Sequence, residues 1–139
     1  MKYDTIVLEG IDKTGKDTIL RYICELSNYK YLVQSREILS QIAYSQLYTR
    51  DYEYQVKDRY NNVLFVYLTV DREDWNIRCN MTNEPVISYD DNIKVFNDAV
   101  YKYSGYINII KFDTSKKTPY QIAKKIVEYM NELNEVIKW

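Results

Sequence analysis

The run Leu8-Glu9-Gly10-Ile11-Asp12-Lys13-Thr14-Gly15-Lys16-Asp17-Thr18 decides how the rest of the chain is read. It closes the β-branched, apolar segment Tyr3 to Glu9, which has the character of a buried parallel strand stopping at Gly10. After it, Ile19, Leu20, Ile23 and Leu26 recur at helical spacing from about Lys16 to Ser27, so the unit is strand, glycine loop, helix. The whole chain holds three glycines, and two of them, Gly10 and Gly15, stand in this loop. Gly10, Gly15 and Lys16 satisfy the phosphate-loop pattern of Gly, four residues, then Gly-Lys and a hydroxyl. There the glycines let backbone N–H groups turn inward around phosphate oxygens, and the helix N-terminus adds favourable partial charge. Asp17 departs from it, placing a carboxylate where the Mg²⁺-holding hydroxyl stands, with Thr18 next. A plain strand-to-helix turn that contains Gly and Lys is the competing reading of the spacing; the position between a buried strand and a helix favours the phosphate loop.

Working outward, Tyr29 to Gln34 reads as a second strand, and Ile38, Leu39, Ile42, Ala43 and Leu47 mark one face of a second helix. The polar, Tyr-rich stretch Thr49 to Asn62 reads as loop with some helix. Val63 to Val70 is the most apolar strand and belongs at the sheet centre. Arg72 to Asn80 is helical, and Met81 to Tyr89 an irregular connection carrying Pro85. Ile93, Phe96, Val100 and Tyr103 line a further helix that Gly105 ends. Tyr106 to Phe112 is a fourth strand. The last helix opens with Thr118 as N-cap, Pro119 in first position and Gln121 completing a capping box, and its apolar face runs from Ile122 and Ile126 to Leu133 and Ile137. Strands alternating with helices imply an α/β domain with a mostly parallel sheet, and right-handed crossovers put helices on both faces. With 139 residues, 1–139 is expected to be one domain.

Composition removes several classes of function. A formal net charge of −1 argues against a nucleic-acid partner, which would need a surplus of Lys and Arg on one face. Histidine is absent, so Ser/His/Asp triads, Cys/His dyads and His-ligated metals are excluded, and acid–base work would fall to carboxylates, Lys or Tyr. Cys24 and Cys79 stand far apart without CxxC spacing and read as reduced, buried thiols. No run is long enough to span a bilayer and the start lacks a signal-peptide pattern, so a cytoplasmic location without membrane contact is expected. Sixteen tyrosines, with many Asn, Ile and Lys, fit an AT-rich genome such as that of a low-GC bacterium or its phage, whose location would be the host cytoplasm.

The loop LEGIDKTGKDT resembles the phosphate loop of thymidylate kinases, in which an Asp two residues after the first Gly and a Thr after the Mg²⁺-binding hydroxyl recur. The resemblance implies that Asp12 approaches the acceptor's sugar, and that Gly10, Thr14, Gly15, Lys16 and Thr18 hold the donor phosphates. It also implies that Lys13 supplies an in-loop charge to the transition state. The segment in the family's lid position, Asn80 to Asp90, carries no Arg or Lys, in agreement with that role for Lys13. A second motif, of the form DRYxxSxxAYQ, is matched by SREILSQIAYS from Ser35 to Ser45 through Arg36, Ser40, Ala43 and Tyr44. By the resemblance Arg36 binds the acceptor phosphate with Ser40 and Tyr44 nearby, and Ser35 stands where the family has a Mg²⁺-organising Asp. The literal string Asp58-Arg59-Tyr60 is a rival, though no apolar strand precedes it. YLTVDREDWNIR resembles the family's strand and helix towards the lid, with Arg78 either nucleotide-binding or an ordinary surface Arg. FDTSKKTPYQIAKKI resembles the last strand and helix, with Asp113 to Lys116 bordering the base.

A thymidylate kinase has a further strand, loop and helix before the strand leading to the position of Arg36, and this chain passes directly across. The resemblance therefore implies a three-layer P-loop NTPase fold of about four parallel strands in order 2-1-3-4, with a reduced acceptor pocket. Two functions stay open. One is phosphoryl transfer from ATP, with Mg²⁺ held at Asp17 and Ser35, to a nucleoside monophosphate or similar small acceptor. The other is a non-catalytic relative that binds a nucleotide or a partner protein. A homodimer is compatible with either.

Overall fold

The computed structural model describes residues 2–48, 60–82 and 88–137. The expected loop over 49–59, the rival Asp58 and Arg59, and 83–87 with Pro85 lie outside the described residues. In chain order the elements are β1 (Thr5–Glu9), α1 (Lys16–Leu26), β2 (Leu32–Ser35), α2 (Ile38–Leu47), β3 (Val63–Thr69), α3 (Arg72–Thr82), α4 (Tyr89–Tyr103), β4 (Asn108–Asp113) and α5 (Pro119–Ile137). The four strands form one parallel sheet in the order β2-β1-β3-β4, as expected.

Alternation along the two central strands builds the three layers, because successive side chains of a strand point to opposite faces. Ile6 and Leu8 of β1, with Leu64, Val66 and Leu68 of β3, pack against Ile19 and Ile23 of α1 and Ile122, Ile126 and Met130 of α5. Val7 and Phe65 face the other way, onto Ile38, Leu39 and Ile42 of α2 and Ala99 of α4. Tyr67, on that same face, joins a cluster with Trp75 and Cys79 of α3 and Phe96 of α4. Each such apolar side chain taken fully from water contributes about 1.5–3 kcal/mol, which is why the strands with apolar residues on both faces hold the centre. Among the described residues no helix is long and apolar enough to cross a membrane.

Two strand starts differ from the periodicity reading, for the same reason. β2 begins at Leu32 rather than Tyr29, because Asn28 (φ 54°) and Tyr29 (φ 60°) take left-handed backbone and Tyr29 N donates to Cys24 O at 2.8 Å, finishing α1 in a tight turn. β4 begins at Asn108 rather than Tyr106, since Tyr106 N still donates to Tyr103 O at 2.9 Å. In both places an aromatic residue that suits a strand is held by the last turn of the preceding helix. Of the two cysteines, Cys79 is buried as expected, and Cys24 only half so. The capping box of α5 forms in both directions: Thr118 N donates to Gln121 Oε1 (3.0 Å), and Gln121 N to Thr118 Oγ1 (3.2 Å).

Candidate functional site

At the carboxyl end of β1 the chain turns from strand to helix in six residues, and both loop glycines are required. A side chain at Gly10 (φ 143°) would place its Cβ 2.3 Å from the Leu68 carbonyl oxygen on β3. Gly15 (φ 79°) has open space around it and is needed for its left-handed backbone, which Lys13 (φ 69°) also adopts. Lys16, the first residue of α1, folds back over the loop, and its Nζ donates to Gly10 O (2.9 Å), Ile11 O (2.6 Å) and Thr14 Oγ1 (3.0 Å). Thr14 is buried and donates in turn to Ile11 O. Lys16 as a whole is only 8% exposed. Burial, and then the charge of Arg36, pull the Lys16 pKa down to about 7, against the upward pull of Asp12, Glu9 and Asp17.

Arg36 sits between β2 and α2 with φ 67°, a left-handed backbone uncommon outside glycine and costing about 1–3 kcal/mol. Its N donates to Leu8 O at 2.8 Å. Its guanidinium pairs with the Asp12 carboxylate, donates through Nη1 to Tyr44 Oη (2.7 Å), and lies over the Tyr44 ring at 5.2 Å. The structure thus brings Asp12, Arg36 and Tyr44 into one cluster beside the loop. Burial raises the Tyr44 pKa, so its phenol stays protonated at neutral pH. Ser40 is buried, and its hydroxyl donates to Glu9 Oε1 at 2.5 Å rather than joining that cluster.

On the other flank, Arg78 of α3 donates to Lys13 O (2.5 Å), Thr114 Oγ1 (3.1 Å) and Thr114 O (3.2 Å), tying the loop to the end of β4. It is therefore more than a surface arginine. A cavity of about 410 Å³ opens there between Thr14 and Gly15 of the loop, Arg78 and Met81 of α3, and Thr114 and Pro119.

No protein-family model matches the chain, and no curated protein matches it in sequence. Its shape does match solved structures. The YorR protein from Bacillus subtilis, solved in complex with phosphorylated GDP, aligns with a TM-score of 0.70 at 15% identity, over 91% of this chain and 95% of its own. Thymidylate kinase from Candida albicans aligns with a TM-score of 0.56 at 15% identity, over 94% of this chain and 92% of its own. The chain has a thymidylate kinase-like P-loop kinase fold.

Within that P-loop kinase fold, Asp17 lies exposed in the first turn of α1, with Thr18 half-buried beside it. Ser35 ends β2, half-buried and in register with Leu8. Both offer oxygen ligands at the loop end of the sheet, the donor chemistry that a small hard cation accepts. Among the described residues no group of three or more His, Cys, Asp or Glu could hold a metal by itself, so an ion here would share its coordination with phosphate oxygens and water.

Sequence reasoning passed over Glu9. The last residue of β1 is fully buried; its Oε1 accepts from Glu37 N (3.0 Å) and Ser40 Oγ (2.5 Å), and its Oε2 from Ser40 N (3.1 Å). Burial raises its pKa, while these bonds lower it. The available signal was a carboxylate closing an otherwise apolar strand, since a buried charge is kept only where donors meet it.

Proposed function

We propose that the chain is a phosphotransferase that moves a phosphoryl group from ATP to a nucleoside monophosphate, as a thymidylate kinase does, or to a similar small acceptor. One observation carries this reading: two cations from different elements converge on the one loop, Lys16 folding back over it onto Gly10 O, Ile11 O and Thr14 Oγ1, and Arg36 pairing with its Asp12. A loop lysine that caps carbonyls in the free protein is a ready partner for phosphate oxygens, and a guanidinium is suited to the paired oxygens of an acceptor phosphate. Gly10, Thr14, Gly15 and Thr18 cradle the donor phosphates, Lys16 meets the β and γ groups, and Lys13 adds charge to the transferred group. Arg36 holds the acceptor, and Asp12 and Tyr44 orient Arg36. The donor base takes the cavity beside Arg78. Phosphoryl transfer needs little covalent help from protein, so position and charge do most of the work. Mg²⁺ is the cofactor of this reading, held by Asp17 and Ser35, and supplies charge neutralisation on the phosphates. The reaction belongs in the cytoplasm.

A second reading, a non-catalytic nucleotide or partner binder, is favoured by Asp17, which puts a carboxylate at the helix end that phosphate would occupy. ATP incubated with a panel of nucleoside monophosphates, with and without Mg²⁺, and analysed for diphosphate products, separates the two. Arg36→Ala should weaken monophosphate binding about tenfold or more while ATP binding changes little, and Arg59→Ala should change neither. The reverse ranking moves the acceptor site to Asp58-Arg59-Tyr60. No product with any acceptor leaves the binding reading.

A further inference from the structure

We infer that Glu9 is a positioning residue: its carboxylate, tied to the first turn of α2, holds Arg36 in the backbone conformation that aims the guanidinium at Asp12 and Tyr44. Three observations converge on this. First, α2 lacks a cap of its own, since its N-cap residue Glu37 makes no side-chain cap bond and the first turn holds no acidic residue. Glu9 supplies the cap from another element, taking Glu37 N, Ser40 N and the Ser40 hydroxyl on its two oxygens. Second, Arg36 is bracketed by the last two residues of β1. Its own N–H goes to Leu8 O, and the N–H of the next residue goes to Glu9 Oε1. A left-handed arginine persists only where its surroundings over-determine it, and these two bonds on consecutive amides do so. Third, Glu9 is fully buried, directly precedes Gly10 and spends its described hydrogen bonds on the α2 segment. A carboxylate there is costly to bury, and a structural apolar residue would serve the strand better unless the donors of α2 require it.

The outcome is a direct tie between the two halves of the site. The strand that launches the phosphate loop also sets the guanidinium beside it, so loop and Arg36 keep one spacing. The consequence for acceptor binding rests on the role proposed for Arg36 above; the conformational part does not.

Glu9→Gln is the test, because the amide keeps size and one acceptor but turns an NH₂ towards a backbone N–H of α2 in either orientation. Thymidine monophosphate and ATP serve as separate probes, and a crystal structure of the variant reports the backbone of Arg36. The expected result is thymidine monophosphate affinity reduced about tenfold or more with ATP affinity within about threefold, and Arg36 out of its left-handed conformation and away from Asp12 and Tyr44. Arg36 unmoved in folded Glu9→Gln overturns the inference, whatever the affinities. Loss of ATP and monophosphate affinity in equal measure overturns it as well, since that marks general damage to the site. If wild type binds no thymidine monophosphate, or Arg36→Ala leaves its binding unchanged, the acceptor reading fails and the position of Arg36 still decides the inference. Should Glu9→Gln not fold, Ser40→Ala removes one of the three bonds and is read by the same crystallographic criterion: a displaced Arg36 supports the tie, an undisplaced one overturns it.

Discussion

Lys16 holds its ammonium on carbonyl oxygens in a nearly water-free pocket, and that placement sets the sign of its pH dependence. Its pKa in the folded protein is about 7, against 10.5 for the exposed side chain. Between those values the unfolded chain binds the extra proton, so this residue makes the free protein more stable as pH rises from 7 towards 10.5. The gain is opposed near pH 10 and above by Tyr67, whose buried phenol is pushed well above the ordinary tyrosine range. Thermal melts from pH 7 to 9.5 should therefore show wild type gaining on Lys16→Ala, and parallel curves would contradict the buried-ammonium picture. Bound phosphate should act in the opposite sense by drawing the proton back. ATP affinity is expected to fall as pH rises from 7 to 9, with proton uptake visible by calorimetry in buffers of different ionisation enthalpy. Lys16→Ala should lose about tenfold or more in ATP affinity and show no uptake. Unchanged ATP affinity in that folded variant would sink the phosphate-loop reading.

At the scale of elements, the β1-to-α1 turn depends on its two glycines for different reasons, and the difference is measurable. Gly10 lies where β1 and β3 come together, and a methyl there meets the Leu68 carbonyl, a backbone atom that cannot swing away. Gly10→Ala should cost about 3 kcal/mol or more, since it forces two central strands apart. Gly15→Ala meets nothing and should cost about 1–2 kcal/mol, the price of left-handed backbone for a side chain. Urea denaturation of the two variants gives the ranking; equal losses would mean that the strand approach at Gly10 is not as tight as described. The same scale explains the late starts of β2 and β4. Tyr29 and Tyr106 have the side chains of strand residues, and periodicity assigns them to strands. The helix ends before them, whose open carbonyls need donors, claim their backbone first.

For the molecule as a whole, the question is whether Asp17, in the first turn of α1, and Ser35, at the end of β2 beside Leu8 of β1, act together. A carboxylate in the first turn of α1 stabilises the helix by about 0.3–1 kcal/mol, and it occupies the same positive end that attracts phosphate. A divalent cation removes that competition, so ATP binding should depend steeply on Mg²⁺. If hydroxyl and carboxylate ligands have changed places, Asp17→Thr alone should impair Mg²⁺-dependent transfer, and Asp17→Thr with Ser35→Asp should recover part of it. Turnover and ATP affinity across a Mg²⁺ titration check both variants. Tighter, metal-insensitive ATP binding by Asp17→Thr would exclude the exchange and support the non-catalytic reading.

The phosphate loop, the α/β class, the two-sided burial of the central strands and the capping box of α5 were all legible from short stretches of sequence and their order, because glycine backbone freedom, strand alternation and helix capping act over a few residues. The resemblance carried by the motifs added the strand order. The site itself could be named in pieces but not assembled. Asp12 and Arg36 are 24 residues apart, and Arg78 and Lys13 are 65 apart. Glu9 reaches its partners 28 and 31 residues on, in a helix that no local pattern marks as uncapped from within and capped from outside. These contacts follow from the parallel register of β1 with β2 and β3 and from the packing of helices on both faces. Only the tertiary structure decided them, since hydrogen-bond partners across a sheet are chosen by where strands align in space and leave no periodicity in either strand's own sequence.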